Sequence, residues 1–232
     1  AEMQILFSIH NYKTADFNPT VCYIVPTNAL IDQVKIDLQS DFKEFNFNIE
    51  TALPYYDVDE IENEILTREH IDILISTPEK LEALVRQNHP AIQNTRLVIM
   101  DEAHNLDFRS SAPAGKILIE GRKHGWAGLF ATQSIKGQMN SEEISNFDNV
   151  DEKIFFHPTD SSINDVAGQI STKEKKIWTD NLRKLKKGQC IVYGSMLDKT
   201  GDLKQSNPVV VDVAEIISER EHDSQENDFN SS

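Results

Sequence analysis

Only two cysteines occur in 232 residues. Cys22 and Cys190 both sit inside apolar, strand-like runs, so a disulfide framework is excluded and the pair reads as reduced core thiols of a cytoplasmic protein. Long apolar runs are missing too: none approaches the roughly 18 residues that a membrane span needs, and no signal-peptide pattern opens the chain. A membrane partner is therefore not expected. The seven histidines show no metal-ligand spacing with cysteine or with one another. Positive charge is scarce, with 23 Lys and Arg against 38 Asp and Glu and a net charge of −15. That excludes a general nucleic-acid coat protein, because neutralising phosphates takes clustered cations. The deficit is uneven, 7 basic to 16 acidic residues over 1–100 but 15 to 17 over 101–217, so any contact with DNA by the second half has to come from a local patch.

What remains is an ordinary globular composition, 39% hydrophobic and 26% charged, enough for one large domain or two small ones. The informative stretch runs from Arg96 to Asn105, where Leu97-Val98-Ile99-Met100 stops at Asp101 and Glu102. An apolar run with Val and Ile reads as a strand buried on both faces. Its acids then fall at the carboxyl end, the edge at which open α/β sheets bind ligands. Paired carboxylates there suit nucleotide chemistry with Mg²⁺, one oriented toward the hydrated ion and the other toward the attacking water. The ordinary reading is a strand end whose acids cap the following turn.

Asp101-Glu102-Ala103-His104 spells DEAH, a form of the Walker B motif, and with it the chain resembles P-loop NTPases of the RecA-like kind. The resemblance is composite. Residues 1–105 resemble the first RecA-like domain of superfamily 2 DEAD/DEAH-box helicases, and residues 101–217 resemble HerA/FtsK-type DNA-translocating ATPases. On the helicase side, Pro26-Thr27-Asn28 resembles motif Ia and Thr77-Pro78-Glu79-Lys80-Leu81 resembles motif Ib. Both are strand-to-helix turns, whose hydroxyls and free N–H groups suit a nucleic-acid backbone and equally suit simple helix caps. On the HerA-like side, Glu120-Gly121-Arg122-Lys123-His124-Gly125 precedes a short strand ending in Ala131-Thr132-Gln133. Gln189 to Gly194 and Asn207 to Val213 read as a β-hairpin. No G-x-x-x-x-G-K-[ST] stretch occurs in these residues; the resemblance places that phosphate cradle just before residue 1.

The fold implied is a RecA-like three-layer α/β sandwich with a mostly parallel central sheet and a C-terminal β-hairpin. Its parts are a helicase-like portion at 1–105, a HerA-like completion of the core at 106–217 and a charged, disordered tail at 218–232. The implied activity is that of an ATP-dependent DNA helicase or translocase, truncated or composite in lacking its Walker A loop, using ATP and Mg²⁺ and working on DNA, as a homo-oligomeric ring or within a larger ATPase complex. By resemblance Asp101 holds Mg²⁺, Glu102 acts on the water, and Gln133 senses the γ-phosphate. His104 and Thr132 belong to the nucleotide sensor, Arg122 reaches a phosphate or a neighbouring subunit, and Pro26, Thr27, Asn28, Thr77 and Pro78 contact the nucleic acid. The alternative is a non-catalytic RecA-like fragment that binds nucleic acid or docks on an active ATPase. The dense basic clusters, Lys173 to Lys176 and Arg183 to Lys187, are where phosphates would lie; the ordinary account is a solvated helix face ended by Gly188 as C-cap.

Overall fold

A computed structural model describes residues 2–14, 16–52, 66–67, 69–132, 140–148, 150–197 and 203–212. Gln133, most of the acidic stretch at 57–69 and the tail lie outside the described residues. The chain divides into two compact units, Ala1–Asp148 and Asn149–Ser232.

The first unit is built on five parallel strands, β1 (Thr20–Ile24), β2 (Ile49–Thr51), β3 (Ile73–Ser76), β4 (Thr95–Met100) and β5 (Ala127–Phe130), in the order β2-β3-β1-β4-β5. Every residue of β1 and β3 is buried, which is why their sequences are continuous apolar runs rather than alternations. One face is closed by α1 (Glu2–Tyr12) and α2 (Ile31–Asp41): Ile5, Ile9, Ile31 and Leu38 pack on Val21, Tyr23, Ile73, Ile75, Leu97 and Ile99. Alternate residues Cys22, Ile24, Leu74, Val98 and Met100 are buried on the other face, the side chains of a strand pointing to opposite faces. The result is the three-layer sandwich expected from sequence, and a truncation such as Leu74→Ala in this core costs about 2–5 kcal/mol.

The helix starts follow local chemistry. α3 (Pro78–Arg86) has Pro78 in its first turn, and the Thr77 hydroxyl accepts a hydrogen bond from the Lys80 amide, the cap read from the sequence. Thr27 makes no such side-chain cap; a short 3-10 turn, Asn28–Leu30, leads into α2 instead. α4 (Pro113–Glu120) is followed by a tight turn at Gly121–His124. α5 (Ser141–Asp148) opens with a reciprocal cap: Asn140 Oδ1 accepts from the amides of Glu142 and Glu143, and the Asn140 amide donates back to Glu143 Oε2.

The second unit is an antiparallel sheet of β6 (Glu152–Phe155), β7 (Gln189–Leu197) and β8 (Leu203–Asp212), with α6 (Ile163–Ile170) and α7 (Lys175–Lys184). The expected hairpin is β7 with β8, paired as Cys190 with Val211 and Val192 with Val209, and β6 adds a third strand. A register shift falls between Val192 and Gly194. Gly194 has φ 133°, and a Cβ there would stand 2.0 Å from the Asp151 carbonyl oxygen, so only glycine lets β6 approach. α6 opens on the Thr159 carbonyl, which accepts from the amides of Ser162 and Ile163. One sequence expectation changes. α7 ends at Lys184 with Leu185 as its C-cap, and Gly188, at φ 81°, serves the turn into β7 instead. Both cysteines are free and buried. No helix among the described residues is long and apolar enough to cross a membrane.

Candidate functional site at the carboxyl edge of the parallel sheet

Because all five strands run the same way, the segments that follow them emerge on one edge. Pro26, Thr27 and Asn28 follow β1, Thr77 and Pro78 follow β3, Asp101 to His104 follow β4, and Thr132 follows β5. Four segments dispersed over more than a hundred residues of sequence thus share one edge of one sheet.

Asp101 is anchored from both sides. Tyr23 sits opposite Ile99 in the register of β1 and β4; Asp101, two residues beyond Ile99, points to the same face, and the Tyr23 hydroxyl donates to Asp101 Oδ2 at 2.9 Å. The Glu102 amide donates to Asp101 Oδ1 at 2.9 Å. The next residue turns the chain sharply: Glu102 has φ 48° and ψ 42°, a left-handed conformation that a residue with a long side chain seldom adopts and that stores strain of about 1 kcal/mol or more. Glu102 is exposed at the edge, with Asn105 Nδ2 donating to its Oε2 at 3.3 Å. The strain is held by the backbone, since the Ala103 amide donates to the Ala131 carbonyl at 2.8 Å and the Ala131 amide to the Met100 carbonyl at 3.0 Å. His104 is half-buried, and its Nδ1 is buried without a hydrogen-bond partner among the described residues.

The loop after the DEAH residues is fastened on three sides. Phe108 is fully buried with its ring edge-on to Phe130 at the end of β5. The Phe108 amide donates to Glu143 Oε1 at 3.0 Å, Asn146 Nδ2 donates to the Phe108 carbonyl at 2.8 Å, and the Ser110 amide donates to Glu142 Oε1 at 2.9 Å. The hydrogen bonds from Ser110, hydroxyl and amide, hold the Glu142 carboxyl below the usual range, and the Arg109 guanidinium does the same to Asp107. Gly115 of α4 lets that helix meet the loop: a Cβ there would lie 2.0 Å from the Arg109 carbonyl oxygen.

Arg122 is not brought to the acids within this chain. It lies in the turn before β5, whereas Asp101 and Thr132 lie beyond the strand ends, and the four residues of β5 alone span about 13 Å. The sequence reading missed Tyr23. Its signal was a phenol inside the otherwise apolar run Val21 to Val25, since a buried hydroxyl needs a partner. Glu143, 7% exposed, was also missed; Asn140 followed three residues later by an acid is the capping pattern that could have revealed it.

No set of three or more His, Cys, Asp or Glu side chains is grouped to hold a metal among the described residues. A lone Asp101 carboxylate, each oxygen with one donor and a lone pair to spare, fits Mg²⁺, which keeps most of its water and takes one or two carboxylates together with substrate phosphates.

A parallel sheet whose carboxyl edge carries a DEAH turn defines a RecA-like P-loop NTPase. The sequence profile of the DEAD/DEAH box helicases matches residues 2–133, more than half of the chain, and the protein belongs to the DEAD/DEAH box helicase family. Among curated proteins it is similar to the Hachiman protein HamB of Bacillus cereus, 29% identical over 98 residues covering 42% of this chain and 9% of that protein. It is also similar to the ATP-dependent DNA helicase Hel308 of Methanococcus vannielii, 25% identical over 209 residues covering 80% of this chain and 26% of the helicase. The chain thus spans about a quarter or less of these relatives. Among solved structures the helicase domain of Pyrococcus furiosus Hef matches 62% of this chain and 31% of its own at 18% identity and a TM-score of 0.42.

Proposed function

We propose that the chain supplies the hydrolytic edge of an ATP-dependent DNA helicase or translocase. The observation that carries this reading is the convergence of the β1, β3, β4 and β5 ends on one sheet edge, beside an Asp101 already oriented by Tyr23 and the Glu102 amide. Asp101 holds the ion. Mg²⁺, when bound, neutralises charge on the β- and γ-phosphates. Glu102, exposed and lifted out of the strand line by its left-handed backbone, orients the attacking water and accepts its proton. Gln133 and Thr132, which follow β5 in the sequence, are the residues assigned to the γ-phosphate, and His104, whose Nδ1 has no hydrogen-bond partner among the described residues, belongs to the same sensor. Thr27 and Asn28, exposed beside Pro26, face the DNA backbone from the β1 end, and Thr77 and Pro78, buried in the turn after β3, hold the neighbouring strand end for the same contact. Arg122, at the other end of β5, acts across a contact with a neighbouring subunit, in a ring or a larger ATPase assembly.

The test is calorimetric titration of the chain with Mg²⁺-ATP, beside a Glu102→Gln variant that should bind nucleotide at least as well. Binding tighter than about 100 μM, roughly −5.5 kcal/mol, is expected. No heat up to millimolar nucleotide would sink the motor reading and leave a non-catalytic module that binds nucleic acid or docks on an active ATPase.

A further inference from the structure

The second unit carries a surface that the DEAH edge does not use. Residues 173–187 hold seven basic residues against Glu174 and Asp180, in a chain of net charge −15. α7 sorts them by face. Thr179 and Leu182 are buried, and Leu182 with Leu185 joins Ile163, Ala167 and Ile170 in the core of this unit, with Trp178 packed alongside. Lys176, Arg183 and Lys184 are exposed, at spacings of seven and eight residues that share one helix face. Lys186, two residues past the helix end, is exposed as well. None of these four takes part in an ion pair among the described residues. In their midst Ile177 is 57% exposed, an apolar residue on an otherwise charged face.

We propose that this face of α7 binds the phosphate backbone of nucleic acid, with Lys176, Arg183, Lys184 and Lys186 as its contacts. Lys176 and Arg183 are separated by about 10 Å along the helix, and duplex DNA presents one negative charge per about 1.7 Å of its axis. About six phosphate charges therefore stand within the length of the stripe, enough for each cation to find one. A lipid surface fits less well. A helix lying in a membrane interface buries its apolar face among acyl chains, and in α7 that face is already spent on α6 and the sheet. Asp180, exposed between Lys176 and Lys184, opposes the interaction, which gives the proposal a prediction of opposite sign. The partner class is shared with the function proposed above, but the residues are different ones and their contact with phosphate does not require nucleotide.

The test is fluorescence anisotropy of the whole chain with labelled 30-nucleotide single strands and 30-base-pair duplexes, titrated from 50 to 200 mM salt. The variant Lys176→Gln/Arg183→Gln/Lys184→Gln keeps good helix formers at exposed positions, and its thermal midpoint verifies the fold. It should lose at least tenfold in affinity at low salt, and its slope of log affinity against log salt should shrink by about 2.7 on the duplex, 0.9 per contact removed, and by about 2.1 on the single strand, 0.7 per contact. Asp180→Asn should bind two- to fivefold tighter. Unchanged affinity and slope in the triple variant would overturn the proposal. So would a response of the triple variant confined to anionic vesicles or to polyglutamate, which would assign the face to lipid or to an acidic protein. Thr27→Ala/Asn28→Ala separates the two readings. If that pair loses DNA while the triple variant does not, the edge reading stands and this one falls; a silent ATP titration with DNA still lost in the triple variant gives the reverse.

Discussion

Tyr23→Phe removes one oxygen from a fully packed ring and with it the 2.9 Å hydrogen bond to Asp101. A hydrogen bond to a charged group contributes about 1.5–3 kcal/mol, and the ring, 6% exposed among Ile99, Ile75 and the helices, stays to fill its space. Asp101 is only half-buried, so water recovers part of the lost interaction and the contribution falls to the bottom of that range or just below it, about 1–1.5 kcal/mol. Urea unfolding of the wild type, Tyr23→Phe, Asp101→Asn and the double variant measures it directly. The cycle should return a coupling of about 1 kcal/mol, because with either partner altered the second change has less to remove. The same phenol keeps Asp101 from rotating, so Mg²⁺-ATP should bind Tyr23→Phe several-fold more weakly with the fold intact. A coupling below about 0.3 kcal/mol, within the additivity of independent sites, together with unchanged nucleotide affinity, would refute the assignment of Tyr23 as the residue that positions Asp101.

Gly115→Ala should destabilise the first unit by about 1–3 kcal/mol although alanine is the better helix former, because its methyl group meets backbone, the Arg109 carbonyl oxygen; a rise in thermal midpoint would contradict the close approach. Gly194→Ala should be costly for two reasons at once, a φ of 133° and the Asp151 carbonyl at 2.0 Å, and it should appear as loss of the protected amides of β6 in hydrogen exchange. The Glu142 and Asp107 carboxyls are held low by Ser110 and Arg109. Folded values below the unfolded ones mean that their contribution is complete above the ordinary carboxylate range and is lost as pH falls through the depressed values. The Ser110 amide resonance should therefore stay flat as pH falls to the ordinary glutamate range and move only below it; a midpoint at or above that ordinary range would count against the contact.

Legibility in the sequence followed burial. β1, β3 and β4 announce themselves because strands covered on both faces leave uninterrupted apolar runs, and a run that stops at Thr77-Pro78 or at Asp101 marks both the strand end and the site. β2 left no such trace: three residues at the sheet margin, Ile49-Glu50-Thr51, only one of them fully buried, differ little from loop. The fastening of the loop after Asp101 was illegible for a different reason. Glu143 lies 35 residues from Phe108, and only the fold brings the acid against that amide; locally it reads as one more charged residue on a short helix. Tyr23 and Asp101, 78 residues apart, meet because β1 and β4 are neighbours in register, which no spacing in the sequence records.

The same contacts bear on how the edge responds to what it binds. The Glu102 turn is not a free loop. Its backbone is shared with the end of β5 through Ala103 and Ala131, and the residues after it are tied by Phe108 to Phe130 and by Phe108 and Ser110 to α5. A displacement of Ala131 and Thr132 therefore cannot be absorbed at the strand end. It either breaks the bonds to Ala103 and Met100, each about 1 kcal/mol, or carries the DEAH turn with it. The left-handed backbone of Glu102 favours the second course: a residue already strained has least to lose by moving, while the buried Phe108 and the bridging Glu143 carboxylate have most.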